Sequence, residues 1–440
     1  MKYKLSRSLL NIDYKFFSTL LIIGVMPTIY TAVRIFFLGD MPSDSGLTIA
    51  SQLIFVNLIY EILQEAIFLP IFYLIGKSLI DQKEFVNKIN TGLVLVALLY
   101  GCISLLLIVF VEPALLFMSQ KNNLISATVE YIRIEAVAAV FSMLVQFMVS
   151  ILIIKKNNKH LYIVSLIQMM LIVFFDTCLV SKLPFSMDIG VNGIAVGNLV
   201  VNLLLIAILL YILKKEDINI GRVNNLSFAW LKEWVKVGGY SGLESLLRNI
   251  VFILMVVRMI NMVGEQGTFW LANQFIWGWL LLPVIQLGQL IKRDCGERSE
   301  QAIKENVVGY FIMTAIIISL WLATIPLWGM FIKNVMNVSD YRPVYDLVIV
   351  LLLWYILFAF NNVIDSIFYG IGKTNYMFFQ SVAVNVLLYG GFFILFNFGV
   401  YKPNLISISL MFASGVALDS IITILTFLWF IKNRKIKILI

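Results

Sequence analysis

Charged residues, histidine and cysteine are all scarce in this 440-residue sequence. Aspartate, glutamate, lysine and arginine make up 13% of it and hydrophobic residues 61%, and there are one histidine and three cysteines. A histidine metal site is excluded by this count, and Cys102, Cys178 and Cys295 lie too far apart for a metal knuckle. Function must therefore depend on the few other polar groups among the apolar residues.

Motifs for nucleotide binding and for enzyme chemistry are also missing. The sequence contains no Walker loop and no GxGxxG in a strand–turn–helix context. A membrane transferase acting on polyprenyl phosphate would need an acidic metal-binding cluster at a membrane face, and no DxxD or HxxxE pair lies in such a place. No segment between the apolar runs exceeds about 20 residues, which leaves no room for a separate catalytic domain. We therefore expect that the chain is not an enzyme and has no cofactor.

Long apolar runs and short lysine-rich gaps alternate from one end of the sequence to the other. A helix needs about 20 apolar residues to cross the hydrocarbon core, and inside lipid its backbone groups must pair within the segment. The sequence therefore predicts an all-α polytopic membrane protein with twelve transmembrane helices, at residues 16–38, 47–76, 91–118, 127–154, 161–181, 191–213, 233–263, 266–291, 306–332, 343–370, 376–399 and 404–431.

Basic residues are distributed unequally between the two sides of the membrane. This distribution explains the net charge of +8, so we do not expect the protein to bind nucleic acid. The basic residues gather at the amino terminus, after every second apolar run and at the carboxyl terminus. The opposite side holds only Lys121, Lys182, Lys333, Arg342 and Lys402. By the positive-inside rule both termini are predicted to be cytoplasmic. We expect a monomeric, multi-pass protein of a bacterial inner membrane, with the lipid bilayer and a small-molecule substrate as its partners.

The sequence repeats itself, which divides it into two halves of six spans. The segment that ends at Arg34 in span one is echoed by the segment that ends at Arg258 in span seven. The prediction is a bundle at 1–213, a cytoplasmic linker at 214–232, and a second bundle at 233–440, related by an axis along the membrane normal. Substrate sites in such proteins lie between the halves near mid-depth. The segment Phe228-Ala-Trp230-Leu-Lys-Glu-Trp234, which begins in the linker, predicts an interfacial helix.

Three glycine-anchored segments carry a resemblance to a known family. They are Gly76-Lys-Ser-Leu-Ile-Asp-Gln-Lys, Gly190-Val-Asn-Gly-Ile-Ala-Val-Gly197 and Gly370-Ile-Gly-Lys-Thr374. In their order and spacing the chain resembles the multidrug and toxic compound extrusion (MATE) transporters of the oligosaccharidyl-lipid/polysaccharide exporter superfamily. The resemblance implies a V-shaped pair of six-helix bundles that exports a small organic solute or drug by alternating access, as an antiporter driven by a proton or sodium gradient. A flippase for lipid-linked oligosaccharide is the alternative within the same superfamily.

Arg34 departs from the family pattern. Many members have an acidic residue at this place in the first span, just before the outer glycine, and it is usually assigned to cation coupling. Neither that coupling site nor a preference for cationic drugs can therefore be transferred from the resemblance.

Span two carries an acidic face within the apolar run. Glu61 and Glu65 lie four residues apart, with Gln64 beside them, so they share one side of the helix. Two close carboxylates in a membrane need a cation or a proton between them, as a coupling site does. They are coupling candidates, with Gln64 as a substrate-binding candidate. The alternative is that both glutamates only neutralise Arg34 on the neighbouring span.

The arginines inside the spans are substrate-binding candidates. Arg34 and Arg258 occupy equivalent places, where they either reach the outer surface or face the cleft and attract an anionic substrate. Arg248, four residues after Glu244, is a further candidate that also fits a plain internal ion pair with it.

Four groups of residues complete the sequence-based expectations. Asp419, near mid-depth of span twelve, is the second coupling candidate. Asp176 and Asp365 lie near span ends and are interpreted as structural. Pro27 and Pro283 allow bends in spans one and eight. Aromatic and methionine side chains either line a drug cavity or face lipid; these are Trp270, Trp277, Trp279, Met169 and Met170.

Overall fold

The computed structural model describes residues 8–39, 41, 45–78, 81–155, 157–218, 220–221, 226–371 and 373–436. Within them the long elements are helices, which we number by span. The first six are α1 (Tyr14–Gly39), α2 (Ser45–Ser51 and Leu53–Lys77), α3 (Gln82–Phe117), α4 (Ile125–Ile154), α5 (Asn158–Leu179) and α6 (Asn192–Lys215). The second six are α7 (Leu231–Phe252 and Arg258–Val263), α8 (Gln266–Phe275 and Leu282–Arg298), α9 (Glu300–Asn334), α10 (Arg342–Gly370), α11 (Thr374–Ala383 and Gly390–Asn397) and α12 (Leu405–Asn433).

The prediction of twelve membrane-spanning helices is confirmed. In the described part of the chain, eleven helices are long and apolar enough to cross a membrane, and the bent pair that forms α8 brings the number to twelve. The helices extend past the apolar runs, however. α3 begins at Gln82 and not at residue 91, because the carboxylate of Asp81 accepts hydrogen bonds from the backbone N–H groups of Lys83 and Glu84. The apolar run thus marks the lipid-embedded part, whereas the cap marks the start of the helix.

Three helices are interrupted by π-helical turns, at Ile253–Val257 in α7, Ile276–Leu280 in α8 and Val384–Tyr389 in α11. The predicted bend at Pro283 is confirmed, since the two parts of α8 meet at 52° just before it. The hydroxyl of Thr28 donates to the Gly278 carbonyl at 2.9 Å, and the amide of Asn362 donates to the Val284 carbonyl at 3.1 Å. Side chains from α1 and α10 therefore satisfy backbone groups around the bend.

The chain forms two compact units. We call Ile29–Gly264 the contiguous unit, and Met1–Thr28 together with Glu265–Ile440 the discontinuous unit. α7 thus belongs with α2–α6, and α1 is divided after Thr28. These units do not coincide with the bundles at 1–213 and 233–440 that we inferred from the repeat, and that division stays a prediction.

α7 packs along α2 inside the contiguous unit. Gly242 lies so close to α2 that a Cβ atom there would come within 2.8 Å of the Ala66 Cβ. Near the other end of α7, the buried amides of Gln52 and Asn261 donate to each other's oxygens at 3.2 and 3.1 Å. Between them, the Asn249 amide donates to the Leu58 carbonyl at 3.2 Å. Close backbone approach and polar pairing together hold the two helices side by side.

The end of the linker is not a separate interfacial helix. Residues 229–230 form a turn, and α7 begins at Leu231. Trp230 is buried, and its indole N–H donates to the Thr91 hydroxyl at 2.9 Å. This tryptophan therefore anchors the start of α7 on α3.

Candidate functional site

A cavity of about 390 Å³ lies inside the contiguous unit, among α1, α2, α4, α5 and α6. This volume is in the range of small-molecule sites in proteins, roughly 300–1,000 Å³. Helical spacing brings its polar side chains to one place. Asn57, Glu61 and Gln64 of α2 follow each other at intervals of four and three residues, so they lie on one face. Asn198 and Asn202 of α6 are likewise four apart.

Small side chains on α4 make room for the cavity. Ala138, Ala139 and Ser142 line it directly after Glu135, which is 8% exposed. The same helix therefore supplies both the open space and a carboxylate. The sequence analysis placed no function on α4.

Arg34 lies at the centre of a buried network beside the cavity. Its Nε donates to Asp176 Oδ2 at 2.7 Å, and its Nη2 donates to Asp176 Oδ1 at 3.4 Å. Nη2 also donates to Asn198 Oδ1, and the amide of Asn198 donates to Glu135. Asp176, which the sequence analysis interpreted as structural, is only 1% exposed and provides the counterion of Arg34. Arg34 is thus held by the opposite charge of Asp176 and by the hydrogen bonds that it donates to two other helices.

A second arginine binds the acidic face of α2. Arg248 Nη2 donates to Glu61 at 3.0 Å and to Glu65 at 2.8 Å, and Nη1 donates to Glu244 at 2.6 Å. The predicted Glu244–Arg248 pair is confirmed. The alternative in which Glu61 and Glu65 neutralise Arg34 is wrong about the partner, because Arg248 binds both of them. Glu61 lines the cavity, so this cluster borders it.

Arg258 lies elsewhere in the contiguous unit. Its Nε donates to the Phe117 carbonyl at 2.9 Å, and its guanidinium lies 4.5 Å from the centre of the Phe117 ring. The residue does not line the cavity. Among the described residues, Arg34, Glu61 and Gln64 are the predicted site residues that do.

Asp419 belongs to the discontinuous unit, together with Asp365. The amide of Asn361 donates to both carboxylates at 3.0 Å, and the amide of Gln380 donates to Asp419 at 2.6 Å. Asp365, interpreted from sequence as structural, is therefore part of the same polar cluster as the coupling candidate. The roles of Asp419, Glu61 and Glu65 in coupling stay predictions.

Sequence reasoning missed six of the residues that form this site. Glu135, Asp176 and Asn198 form the network around Arg34, and Asn57, Gln168 and Asn202 line the cavity. The four-residue intervals from Asn57 to Glu61 and from Asn198 to Asn202 could have indicated two polar helix faces. No local pattern could have joined Arg34 to Asp176, which is 142 residues away.

Comparison with known proteins gives similarity at the level of structure. No family model matches the sequence, and no curated protein matches it. Solved structures do match over nearly the whole chain. The MATE multidrug transporter DinF-BH has a TM-score of 0.75 at 14% identity, with 96% of both chains covered.

Two further solved structures show the same likeness. A multidrug resistance MATE family transporter of the MOP superfamily, in an inward-facing conformation, has a TM-score of 0.71 at 17% identity, covering 94% of this chain and 97% of that one. A MOP superfamily transporter from Pyrococcus furiosus, described by the reverse polarity of its binding pocket, has a TM-score of 0.68 at 17% identity over 97% and 96%. The family resemblance inferred from sequence is thus confirmed in the architecture: this chain has the fold of the MATE transporters.

Proposed function

We propose that this protein is a secondary active exporter that moves a small organic solute out of the cell by alternating access, driven by a proton or sodium gradient. The observation that carries the proposal is the cavity with polar side chains inside a chain of apolar spanning helices, bordered by one buried and one half-exposed network of charged side chains. Solved MATE transporters of this fold occur in inward-facing and outward-facing conformations. A cavity that is loaded on one side and emptied on the other needs two such states.

The charges around the cavity support coupling to a cation. Five carboxylates and two guanidinium groups form the two networks: Asp176, Glu135, Glu61, Glu65 and Glu244 with Arg34 and Arg248. These seven side chains hold three more acidic than basic groups. Inside a membrane such an excess is costly unless protons or cations balance it. Uptake and release of the balancing ion would link the state of the cavity to the gradient.

The Asp365–Asp419 cluster is the second candidate for coupling. Asn361 Oδ1 and Gln380 Oε1 are buried and accept no hydrogen bond from the described part of the chain. If both amides turned over, these oxygens would join the two carboxylates, and carboxylate and carbonyl oxygens are the ligands that hard cations prefer. The contiguous unit and the discontinuous unit therefore each offer a place for the coupling ion.

The flippase alternative has less support. A flippase for a pyrophosphate-linked sugar would use cleft arginines on the phosphates. Arg34 is already bound by Asp176, and Arg258 does not line the cavity. The solved structures that share this fold also include MATE multidrug transporters. We therefore prefer solute export, by a monomer in a bacterial inner membrane with both termini in the cytoplasm.

Transport by purified protein in liposomes tests the proposal. A proton gradient and a sodium gradient are imposed separately, with rhodamine 6G and a labelled amino sugar as probes, and an ionophore collapses each gradient as a control. Movement of at least one probe against its own gradient is expected under one of the two ion gradients. Movement that continues unchanged after the ionophore would contradict secondary active transport.

Two variants then locate the coupling ion. Glu135→Gln alters the contiguous unit, and Asp419→Asn alters the discontinuous unit. The variant that loses gradient-driven movement while it keeps downhill exchange identifies the unit that couples. Exposed Glu112 on α3, changed to Gln, is the matched control and should transport normally. If both test variants still show gradient-driven transport, neither of these two sites couples transport to the ion gradient.

A further inference from the structure

Four carboxamide side chains line the cavity and have no hydrogen-bond partner among the residues that the structure describes. They are Asn57 and Gln64 of α2, Gln168 of α5 and Asn202 of α6. None of the four makes a hydrogen bond to another described residue. Asn202 is only 7% exposed, and what remains accessible of it opens on the cavity.

Several other amides within the same unit are paired. Gln52 and Asn261 bind each other, Asn249 binds the Leu58 carbonyl, and Asn198 binds both Arg34 and Glu135. Polar side chains in spanning helices normally find such partners, because an unsatisfied group in hydrocarbon raises the free energy. Four unpaired amides around one cavity therefore indicate that their partners come from outside the protein.

The apolar part of the lining is mainly aliphatic. It consists mainly of Leu53, Met143, Ile172 and Val201, with the rings of Tyr30 and Tyr60. The tryptophans and paired methionines that the sequence offered as a drug-binding surface do not line this cavity; Met170 is 61% exposed on the outside of α5 and Trp277 lies in the discontinuous unit. The cavity thus lacks the dense aromatic lining that suits a flat apolar cation.

Carboxamides match hydroxyl groups in their hydrogen-bonding chemistry. Each amide offers two N–H donors and one carbonyl acceptor, and each hydroxyl both donates and accepts. Neighbouring hydroxyls on a ring can therefore bind both ends of one amide. An apolar cation would displace water from these amides without replacing its hydrogen bonds, and such loss weakens binding.

We propose that the cavity of the contiguous unit takes a hydroxyl-rich solute, such as a sugar or an amino sugar of one or two rings, and not an apolar aromatic cation. The inference rests on the proposed function, since it takes this cavity as the substrate site. Asn57, Gln64, Gln168 and Asn202 supply the hydrogen bonds. Glu135, which accepts a hydrogen bond from Asn198, adds an acceptor for a hydroxyl or an ammonium group.

Binding to the purified full-length protein in detergent tests the inference. Calorimetry compares three probes: trehalose as a neutral two-ring sugar, neamine as a two-ring amino sugar, and rhodamine 6G as an apolar cation. The test variants are Asn202→Leu and Gln168→Met, which keep the shape of the side chain and remove the amide. Gln301→Met is the matched control, because Gln301 is an exposed residue of α9 outside the contiguous unit.

The expected result is binding of trehalose, neamine or both, weakened about tenfold in each test variant and unchanged in the control, as the loss of one or two hydrogen bonds predicts. Binding of neamine alone would show that the amine is required as well as the hydroxyls. Thermal unfolding of the unliganded variants should be unchanged or improved, because an unpaired amide contributes nothing to the fold. A purely structural role would instead lower stability and leave binding of the sugars intact.

Two outcomes overturn the inference. One is that neither sugar probe binds. The other is that rhodamine 6G binds more tightly than either sugar, with the same affinity in both test variants. The liposome assay is independent of this result. Gradient-driven movement of rhodamine 6G without sugar binding would support the exporter proposal and reject the hydroxyl-rich substrate class. Sugar binding without gradient-driven transport would support the substrate class and reject the exporter proposal.

Discussion

Arg34 is stable inside the membrane only because side chains from two other helices reach it. Asp176 of α5 provides the opposite charge at 2.7 Å, and Asn198 of α6 provides a further acceptor. An arginine within a span otherwise needs a path to water, and Arg34 is 17% exposed. The position that usually carries an acidic coupling residue in the resembled family thus holds a fixed cation with its own counterion.

Removal of that counterion should destabilise the protein. Asp176→Asn leaves the guanidinium of Arg34 without its closest negative charge, and loss of one partner of a buried pair costs roughly 3–5 kcal/mol. We expect a clearly lower midpoint of thermal unfolding in detergent. Asp188→Asn, in the exposed loop after α5, is the matched control and should unfold as the unaltered protein does.

A double variant distinguishes the effect of an unpaired charge on stability from the effect of an altered side-chain shape. Arg34→Gln combined with Asp176→Asn removes both charges, so it should recover much of the stability that Asp176→Asn alone loses. If Asp176→Asn unfolds at the original temperature, the pair does not hold the first helix in place.

Arg248 differs from Arg34 because three carboxylates share it. Glu65→Gln leaves Glu61 and Glu244 on the guanidinium, so we expect a loss of stability of about 1 kcal/mol or less, as for half-exposed pairs. Arg248→Gln leaves three carboxylates together and should destabilise the protein more than Glu65→Gln does. Thermal unfolding of the two variants side by side checks the order, and the opposite order would show that Arg248 does not organise the cluster.

The difference between these two arginines also shows what a sequence can predict at the scale of residues. Glu244 and Arg248 are four apart on one helix, so their pairing follows from local geometry alone. Arg34 and Asp176 are far apart in the chain, and their pairing follows only from how α1, α5 and α6 pack. For the same reason the alternative that paired Glu61 and Glu65 with Arg34 named the wrong arginine.

At the scale of elements, the contact between α2 and α7 depends on a glycine. A Cβ at position 242 would come within 2.8 Å of Ala66, whereas nothing lies within 4 Å of a Cβ at position 239. Gly242→Ala should therefore lower stability, because the helices must move apart. Gly239→Ala should leave it unchanged or raise it by about 0.5–1 kcal/mol, since alanine favours the helix.

Thermal unfolding of the two alanine variants measures this difference. Both substitutions add one methyl group to the same helix, so helix propensity cancels between them and only the packing against α2 remains. Equal unfolding temperatures would show that the two helices are not in close contact.

The length of an apolar run predicted most of the helices, because the bilayer sets how many residues must be apolar. The bend in α8 was also predictable, since Pro283 has no N–H to donate. The π-helical turns in α7, α8 and α11 and the break at Gln52 in α2 were not. Such interruptions depend on side chains of other helices, such as Thr28 and Asn362, which satisfy the backbone groups near the bend in α8.

At the scale of the whole molecule, the sorting of lysine and arginine predicts which loops face the outside. In a variant without native cysteines, Ser339→Cys, in the exposed turn before α10, should react with an impermeant maleimide applied to intact cells. Asp217→Cys, after α6, should react only once the membrane is permeabilised. If only the Asp217→Cys variant is labelled in intact cells, the protein has the opposite orientation to the one predicted.

The division of the chain into its two units has a consequence for biosynthesis. The contiguous unit is complete in sequence when Gly264 has been made, whereas the discontinuous unit joins the first 28 residues to residues from Glu265 onward. Domains tend to fold as they emerge during synthesis, so the contiguous unit can fold while the ribosome is still translating α8 to α12. During that interval the first part of α1 is already in the bilayer, but α8 has not yet been made. The hydroxyl of Thr28 therefore cannot yet donate to the Gly278 carbonyl near the bend of α8. The segment that is synthesised first is therefore among the last to reach its final packing. A translational pause after α7 would lengthen the time during which the first part of α1 lacks its contacts with α8.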